Sequence, residues 1–536
     1  MIGTRLDCVI IGHHELPFDQ IVERHRRMQK YSGGYRNLKA NSILVDQNRL
    51  TYSDLLNRVI GQVRGTQPAF DVFRLPHLAA HYLASFLSKR GFAVEVVNNF
   101  DHDQDRLKEL LSEPPRAVAI TTTFYVDDEP IIDIVKAVRR LVPDTMILVG
   151  GPRIFTICTS HEDETQDHIF TSVGADAYVF DSQGEGTLAA VLSRLRSLDL
   201  AGLSTVPNLI LATGDRITRT PRIPESNDLD RGAVDWTNFR PATLGKTAPM
   251  RTARSCAFSC SFCSFPLMAG PLSLTSLEVL DCELRALREA GVENINFIDD
   301  TFNVPLPRFK ALCRLLIDRG YGFNWYSMFR CSNADDETFR LMSRAGCRGV
   351  FLGIESGSPS VLGHMHKAAT VDRYERGMAR LKDFGILTLA SFIVGFPGET
   401  EQTVEETCAF IRRTRPDFFR AQLYYHDVRV PIHEKAAQFG MIGAGFSWSH
   451  ATMDWAEACD RVEYLYQAVS DSLLFPVHGF DLESIPYLLG NGISIDQIFA
   501  FARVAQRMLV RSFGEVAAHP EADWSELRNL VARRCA

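Results

Sequence analysis

The chain has no stretch of about 18 consecutive apolar residues, which excludes a helix that spans a membrane by hydrophobicity alone. It has no basic surplus either. A net charge of -7 leaves no footprint for nucleic acid and no attraction to an anionic membrane surface. The opening "MIGTRLDCVIIGHHE" carries too short an apolar run for a signal peptide and reads as a first strand, so a cytoplasmic protein is expected. Short-period repeats and a low-complexity tail are missing. So is GxGxxG after the first strand, which weakens a dinucleotide-binding reading.

At 536 residues the chain exceeds one compact core, and two to four domains are expected. Twelve cysteines in a reducing compartment read as thiols or metal ligands rather than disulfides. Nine are scattered singly: Cys8, Cys158, Cys282, Cys313, Cys331, Cys347, Cys408, Cys459 and Cys535. These read as small buried apolar residues. The other three, Cys256, Cys260 and Cys263, sit together in "RSCAFSCSFCSFP".

Residues 1–202 alternate near-continuous apolar strands with helical patterns: "DCVIIG", "AVEVVNN", "RAVAITTTF", "TMILVGG" and "GADAYVF" around helices such as "PIIDIVKAVRRLV". That alternation predicts a Rossmann-like parallel sheet covered on both faces. A polar interruption at about 15–70 reads as an elaboration of the first βα unit. Residues 203–246 read as a hairpin and linker, rich in proline, glycine and charge. A second βα series over 247–435 predicts about six units, enough for a partial barrel. Its first helix shows Leu277, Leu280, Leu284 and Leu287 on one face, with Thr275 and Glu278 at capping-box spacing and Gly291 as the stop. Residues 436–536 read as mostly helical. The fold class is therefore α/β in front and in the middle, with a helical C-terminal domain.

Three thiols on a loop this short can converge on a metal centre. A structural zinc has four protein ligands, yet "SFPLMAGPLSL" offers none after the third cysteine. Three cysteines without a fourth partner suit a [4Fe–4S] cluster with one iron open; a zinc knuckle or plain buried thiols are the alternatives.

The CxxxCxxC spacing, with Phe262 before the last cysteine, resembles the signature of radical S-adenosylmethionine (SAM) enzymes. Motifs follow in the family's order. "FIDDTF" ends the second strand of the series, "GIESGS" the fourth and "VGFPGET" the fifth. The resemblance implies that the open iron chelates SAM and that Phe262, Asp299, Asp300, Glu355, Ser356, Gly395, Pro397 and Glu399 surround it. The front domain resembles the cobalamin-binding arrangement through "PHLAAHYLASFLSKRGF", "ITTTFYVDD", "LVGGPRIF" and "DSQGEGT". That implies a corrin cradle of Thr121, Thr122, Thr123, Gly150, Gly151, Gly184 and Glu185, with Arg74 facing the cobalt. DxHxxG, which supplies the cobalt-ligating histidine of other cobalamin enzymes, is absent; His13 and His14 follow the first strand without its spacing.

Together the modules resemble the cobalamin-dependent (class B) radical SAM methyltransferases, and "LDCVIIGHHE", "YRNLK" and "WSHATMD" look most like the natural-product subgroup of phosphinate P-methyltransferases and tryptophan C-methyltransferases. The implied chemistry is methylation of an unactivated carbon or phosphorus centre through methylcobalamin, with a second SAM supplying the 5′-deoxyadenosyl radical. The alternative is a cobalamin-containing radical SAM enzyme that oxidises or rearranges without transferring methyl. Methylthiotransferases carry further cluster cysteines in front, where this chain has only Cys8 and Cys158. The substrate is expected between the domains, under a C-terminal lid, within reach of Tyr326, Arg330, Tyr424, Tyr425, His426, Trp448 and His450. A monomer served by a flavodoxin- or ferredoxin-like electron donor is expected.

Overall fold

The computed structural model describes residues 5–29, 32–65, 70–214, 216–238, 244–514 and 519–532; Cys535 lies outside them. The front sheet uses β1 (Cys8–His13), β2 (Val94–Asn99), β3 (Ala117–Thr121), β4 (Met146–Gly150), β5 (Ala177–Val179), β6 (Leu209–Thr213) and β7 (Arg216–Arg219), in the order β2-β1-β3-β4-β5-β6-β7. The first five strands are parallel. The hairpin expected beyond residue 203 extends the sheet as antiparallel β6 and β7. All six residues of β1 are buried, because apolar cores cover both faces of the sheet. Each fully buried Val or Ile there contributes about 1.5–3 kcal/mol.

The second sheet runs β8 (Thr247–Met250), β9 (Asn294–Phe297), β10 (Asn324–Met328), β11 (Cys347–Glu355), β12 (Leu387–Val394), β13 (Phe418–Leu423) and β14 (Leu473–Leu474) in sequence order. Every pairing is parallel, which gives the six expected βα units plus one short strand from the C-terminal region. The helix Leu277–Glu289 buries Leu280, Leu284 and Leu287 fully. Its cap is Ser276, which accepts the Val279 N–H. Thr275, one residue earlier, instead gives its carbonyl to Arg308.

Two further differences from expectation are tertiary. The helices Gly33–Ala40 and Tyr52–Arg64 belong to the interruption after β1, yet their buried faces join the barrel and C-terminal core. The C-terminal region has the helices Trp455–Ala468, Ser484–Gly490, Ile495–Arg511 and Glu521–Ala532, but an antiparallel ribbon of Ile442–Ala444, Ser447–His450 and Met453–Asp454 precedes them. Of the scattered cysteines, Cys8, Cys313, Cys331, Cys347, Cys408 and Cys459 are buried thiols, Cys158 is half-buried and Cys282 is exposed. No helix among the described residues is long and apolar enough to cross a membrane.

Candidate active site

The C-terminal ends of the two sheets face each other across a cavity of about 440 Å³. Ligands of open α/β sheets bind at this edge, where strand order reverses. Here β2 lies on one side of β1 and β3 on the other, so His13 at the end of β1 sits at the reversal. The front wall includes His13, Thr121, Thr123, Phe124, Gly150, Gly151, Gly184 and Glu185; the barrel wall includes Arg251, Ser255, Met268, Asp300 and Met328. Glu483 comes from the C-terminal region.

Thus six of the front residues singled out from sequence line one cavity. Two do not. Thr122 is fully buried behind it, its hydroxyl donating to the Gly150 carbonyl at 3.0 Å and accepting the Arg153 N–H at 3.1 Å. Arg74 is exposed on the turn Val72–Arg74 and is not part of the wall, whereas its neighbours Phe73 and Leu75 are. Gly151 has φ +113 and Gly184 φ +70. A Cβ at either would approach a neighbour to 2.8–2.9 Å, so glycine is required for these turns to close.

The cysteine loop is fixed at its root. Asp299 accepts the N–H groups of Thr252 and Ala253 at 2.6 and 3.0 Å, together with the Thr252 hydroxyl. Arg308 donates to the Thr252 and Thr275 carbonyls at 2.8 and 2.7 Å. Ser255 follows in the left-handed region at φ +72, a conformation that costs a non-glycine residue about 1–3 kcal/mol. It turns the chain into Cys256, whose sulfur lies 3.4 Å from the Thr301 hydroxyl. Cys263 closes a turn onto the Cys260 carbonyl at 3.1 Å. Burial pushes the Cys263 thiol up to about 11, and the neighbouring Cys260 and Cys256 add to the rise. A zinc knuckle needs a converging fourth ligand. Among the described residues no three His, Cys, Asp or Glu side chains converge on a single ion position, Cys256, Cys260 and Cys263 included.

Around Phe262 the strand-end motifs meet. Glu355, in a left-handed conformation at φ +69, pairs with Lys367 at 2.9 Å. Lys367 lies 5.4 Å over the Phe262 ring. Phe262 packs edge-on to Phe396, the neighbour of Gly395 and Pro397, at 6.3 Å. Arg330 stacks over Phe258 within the cysteine loop at 3.7 Å, and its Nε and Nη2 are buried without partners. Lys367 and Phe258 carry no motif signal and escaped the sequence reading.

Three expected SAM contacts have other work. Both carboxylate oxygens of Asp299 are committed to the loop root. Ser356 is fully buried, its hydroxyl accepting the Ser358 N–H and bonding Thr407. Glu399 folds back onto the Gly395 N–H. Tyr326 is also displaced from expectation: two residues before the end of β10, it lies in the barrel core at 3% exposure, while Met328 reaches the cavity. Trp448, Tyr424 and His450 support the β12 loop from behind. Trp448 donates to the Tyr424 carbonyl at 2.8 Å, and His450 Nε2 lies 3.2 Å from the Gly395 carbonyl oxygen. His426 is buried against Gly443 and His433, and Tyr425 is exposed.

Burial pushes the Glu399 carboxyl up to about 8. The folded chain therefore holds a proton that the unfolded chain releases near pH 4.3, and stability falls as pH rises between those values. Glu399→Gln keeps an acceptor for Gly395 without titrating. Its thermal midpoint is expected to be flatter than wild type between pH 7 and 8, measured by scanning fluorimetry. Equal slopes would show that Glu399 is ionised in the fold.

The barrel is joined to the front sheet through buried charge. Arg254, two residues before Cys256, meets Glu185 at 2.9 Å and the Tyr82 hydroxyl at 3.3 Å. The side chains of Arg254 and Glu185 are 9% and 4% exposed. Asn227 donates to the other Glu185 oxygen at 2.7 Å, and Arg251 stacks over Tyr82 at 4.5 Å. Glu185 was expected against a corrin; besides lining the cavity, it holds the root of the cysteine loop. Within the cavity, desolvation pushes Asp300 and Glu483 each up to about 7.

The sequence profile of the radical SAM superfamily matches residues 250–411, from the end of β8 into the helix after β12. The chain carries a radical SAM domain. The domain thus contains the cysteine loop, Arg330, Glu355, Lys367 and Gly395. An uncharacterized methyltransferase of Pyrococcus horikoshii is 27% identical over 357 residues, covering 64% of this chain and 74% of the relative. The anaerobic magnesium-protoporphyrin IX monomethyl ester cyclase of Rubrivivax gelatinosus is 27% identical over 441 residues, 76% of each chain. Among solved structures, the radical SAM methyltransferase TsrM of Kitasatospora setae, with cobalamin and a [4Fe–4S] cluster bound, is similar with a TM-score of 0.62 at 19% identity, covering 82% of this chain and 96% of that one. That likeness shows the fold, a Rossmann-like front sheet set against a radical SAM partial barrel.

Proposed function

We propose that the chain is a cobalamin-dependent radical SAM methyltransferase acting on an unactivated carbon or phosphorus centre of a small natural-product precursor, with an indole carbon and a phosphinate as candidates. The observation that carries this reading is the shared cavity: the glycine turns of the front sheet and the wall beside the cysteine loop enclose one space. When bound, the cluster with SAM supplies a carbon-centred radical and cobalamin supplies the methyl group.

The residues present fit these groups. Cys256, Cys260 and Cys263 give three thiolates and leave one iron free for SAM. Arg330, with two unpartnered donors, and Lys367 are the cations beside that loop, suited to the SAM carboxylate. Phe262 and the Gly395–Pro397 turn give flat and close-approach surfaces for the rest of SAM. Thr121, Thr123, Gly150, Gly151 and Gly184 form the front cradle. Arg251, Asp300 and Glu483 are three of the charged groups of the cavity wall, beside Asp181, Glu185 and Arg254, and would meet the substrate, which in turn excludes water from the mostly apolar walls. A flavodoxin- or ferredoxin-like protein is the matching electron donor.

Anaerobic reconstitution with iron, sulfide, hydroxocobalamin and SAM tests the reading. Co-formation of S-adenosylhomocysteine and a methylated product supports it. The cyclase relative favours a second reading, oxidation or rearrangement without methyl transfer, and 5′-deoxyadenosine without S-adenosylhomocysteine would select it. A protein that takes up neither iron nor cobalamin overturns both.

A further inference from the structure

Four histidines cluster where β1 ends: His13, His14, His77 and His81. Their hydrogen bonds separate them. His77 caps the helix Leu78–Ser88 by accepting the Ala80 N–H on Nδ1 at 3.2 Å. Its neutral tautomer therefore carries the proton on Nε2 and has no lone pair to offer there. His81 Nε2 is occupied by the Asn98 side-chain oxygen at 3.2 Å. His14 Nδ1 faces the Asp101 carboxylate at 2.9 Å and its Nε2 the Asp133 carboxylate at 3.7 Å, and His14 is not part of the cavity wall. Of the four, His13 alone remains uncommitted. It is 3% exposed, lines the cavity, and both ring nitrogens are buried without a partner. A buried imidazole with neither nitrogen bonded is a costly arrangement unless something else meets it.

The ring is also held in place. Phe73 stacks on it with centroids 3.7 Å apart and planes 17° apart, and Phe124 closes one side edge-on at 6.1 Å. Behind it, the Gly12 carbonyl accepts from the Thr121 and Tyr125 hydroxyls at 3.3 and 3.4 Å, fixing the strand end. A Cβ on Gly12 would meet the Asn98 carbonyl at 2.5 Å and His77 at 2.9 Å, so no larger residue lets the strand pass this close. Burial, with His77 nearby, pushes His13 down to about 3. The imidazole stays neutral and no proton competes for its lone pair.

We infer that His13 is an axial cobalt ligand, its free imidazole nitrogen forming a dative bond to the metal of a corrin seated on the front wall. The inference rests on the proposed cobalamin reading and replaces Arg74 as the residue facing the metal. Coordination transfers no electron and releases no proton, because the donor is already neutral. It also gives the orphaned nitrogen its missing partner and explains why the ring is clamped in an apolar wall.

The experiment uses the full chain loaded with hydroxocobalamin and reduced to cob(II)alamin, whose unpaired electron lies along the axial bond. Electron paramagnetic resonance then reports the axial atom. With unlabelled protein the cobalt lines are expected to split into triplets from ¹⁴N. In protein grown with ¹⁵N-histidine and unlabelled cofactor they become doublets. His13→Phe is expected to bind the corrin without the histidine splitting, and His77→Phe to keep it. Bound cobalamin whose splitting ignores the label, or shows none, overturns the ligand assignment and leaves the cobalamin reading intact. Wild-type protein that binds no cobalamin overturns the reading and this inference with it.

Discussion

Arg254→Met is expected to lower the unfolding free energy by about 3–5 kcal/mol, the usual cost of stranding one member of a buried ion pair. An exposed pair would cost under about 1 kcal/mol, and the 9% and 4% exposures of Arg254 and Glu185 place this one in the first class. The lower end of the range is favoured by two features. Asn227 still donates to Glu185 in the variant. Burial already holds the Glu185 carboxyl above its ordinary range, with Arg254 as the main opposing influence, so the stranded acid escapes by taking a proton. Combining Arg254→Met with Glu185→Gln removes both charges and keeps the hydrogen bond from Asn227. The double variant is expected to recover most of the stability, giving a coupling energy above about 1 kcal/mol in a thermal or urea double-mutant cycle. A single variant costing less than that would mean water screens the pair. Because Arg254 is two residues from Cys256, the same variant is expected to retain less iron after reconstitution.

How much of this was readable from the chain depended on range. The cysteine spacing is local, and so is the period of the βα series; both are legible as patterns without knowing the distant partners, such as Asp299 and Arg308, that hold the loop in the structure. The segment around 33–64 shows the limit. Its helices have ordinary amphipathic patterns, and nothing in them states that they dock on the C-terminal helices rather than on β1, their neighbour in sequence. Side-chain direction is the second limit. "FIDDTF", "GIESGS" and "VGFPGET" correctly mark strand ends, yet within them Asp299 turns to the Thr252 and Ala253 groups at the root of the cysteine loop, and Ser356 and Glu399 turn inward to backbone N–H groups of their own loops. Asp300 and Glu355, in the same motifs, face the cavity and the cysteine loop's surroundings. Sequence gives the residue type at a turn; the hydrogen-bond demand of the buried turn decides which carboxylate is spent on it. The Arg254–Glu185 pair joins two motifs that were each legible, "RSCAFSC" and "GEGT", and a charge in each was the available signal that they meet.

Replacing Cys256, Cys260 and Cys263 together by Ala is expected to abolish the visible charge-transfer absorbance and bound iron of the reconstituted protein, with hydroxocobalamin binding close to wild type. The effect on iron should be complete, since on the proposed reading these three thiolates would be the whole protein ligand set of the cluster. Cobalamin should stay because none of the three lines the cavity; the front wall is built on β1, β3, β4 and β5, and its glycine turns are closed by their own neighbours. The fold should tolerate the change. Cys260 is buried and Cys256 and Cys263 are half-buried, the substitution removes one atom per side chain, and the hydrogen bonds it breaks are that between the Cys256 sulfur and the Thr301 hydroxyl and the backbone one that the Cys263 sulfur accepts from Phe265. Three results would sink this assignment: iron retained by the variant, zinc without iron or sulfide in the wild type, or corrin binding abolished while circular dichroism is unchanged. The last would mean that the cysteine loop and the front cradle are one cooperative site. The Arg254–Glu185 pair is then the link through which they would be coupled, and Arg254→Met should likewise abolish corrin binding with all three cysteines in place.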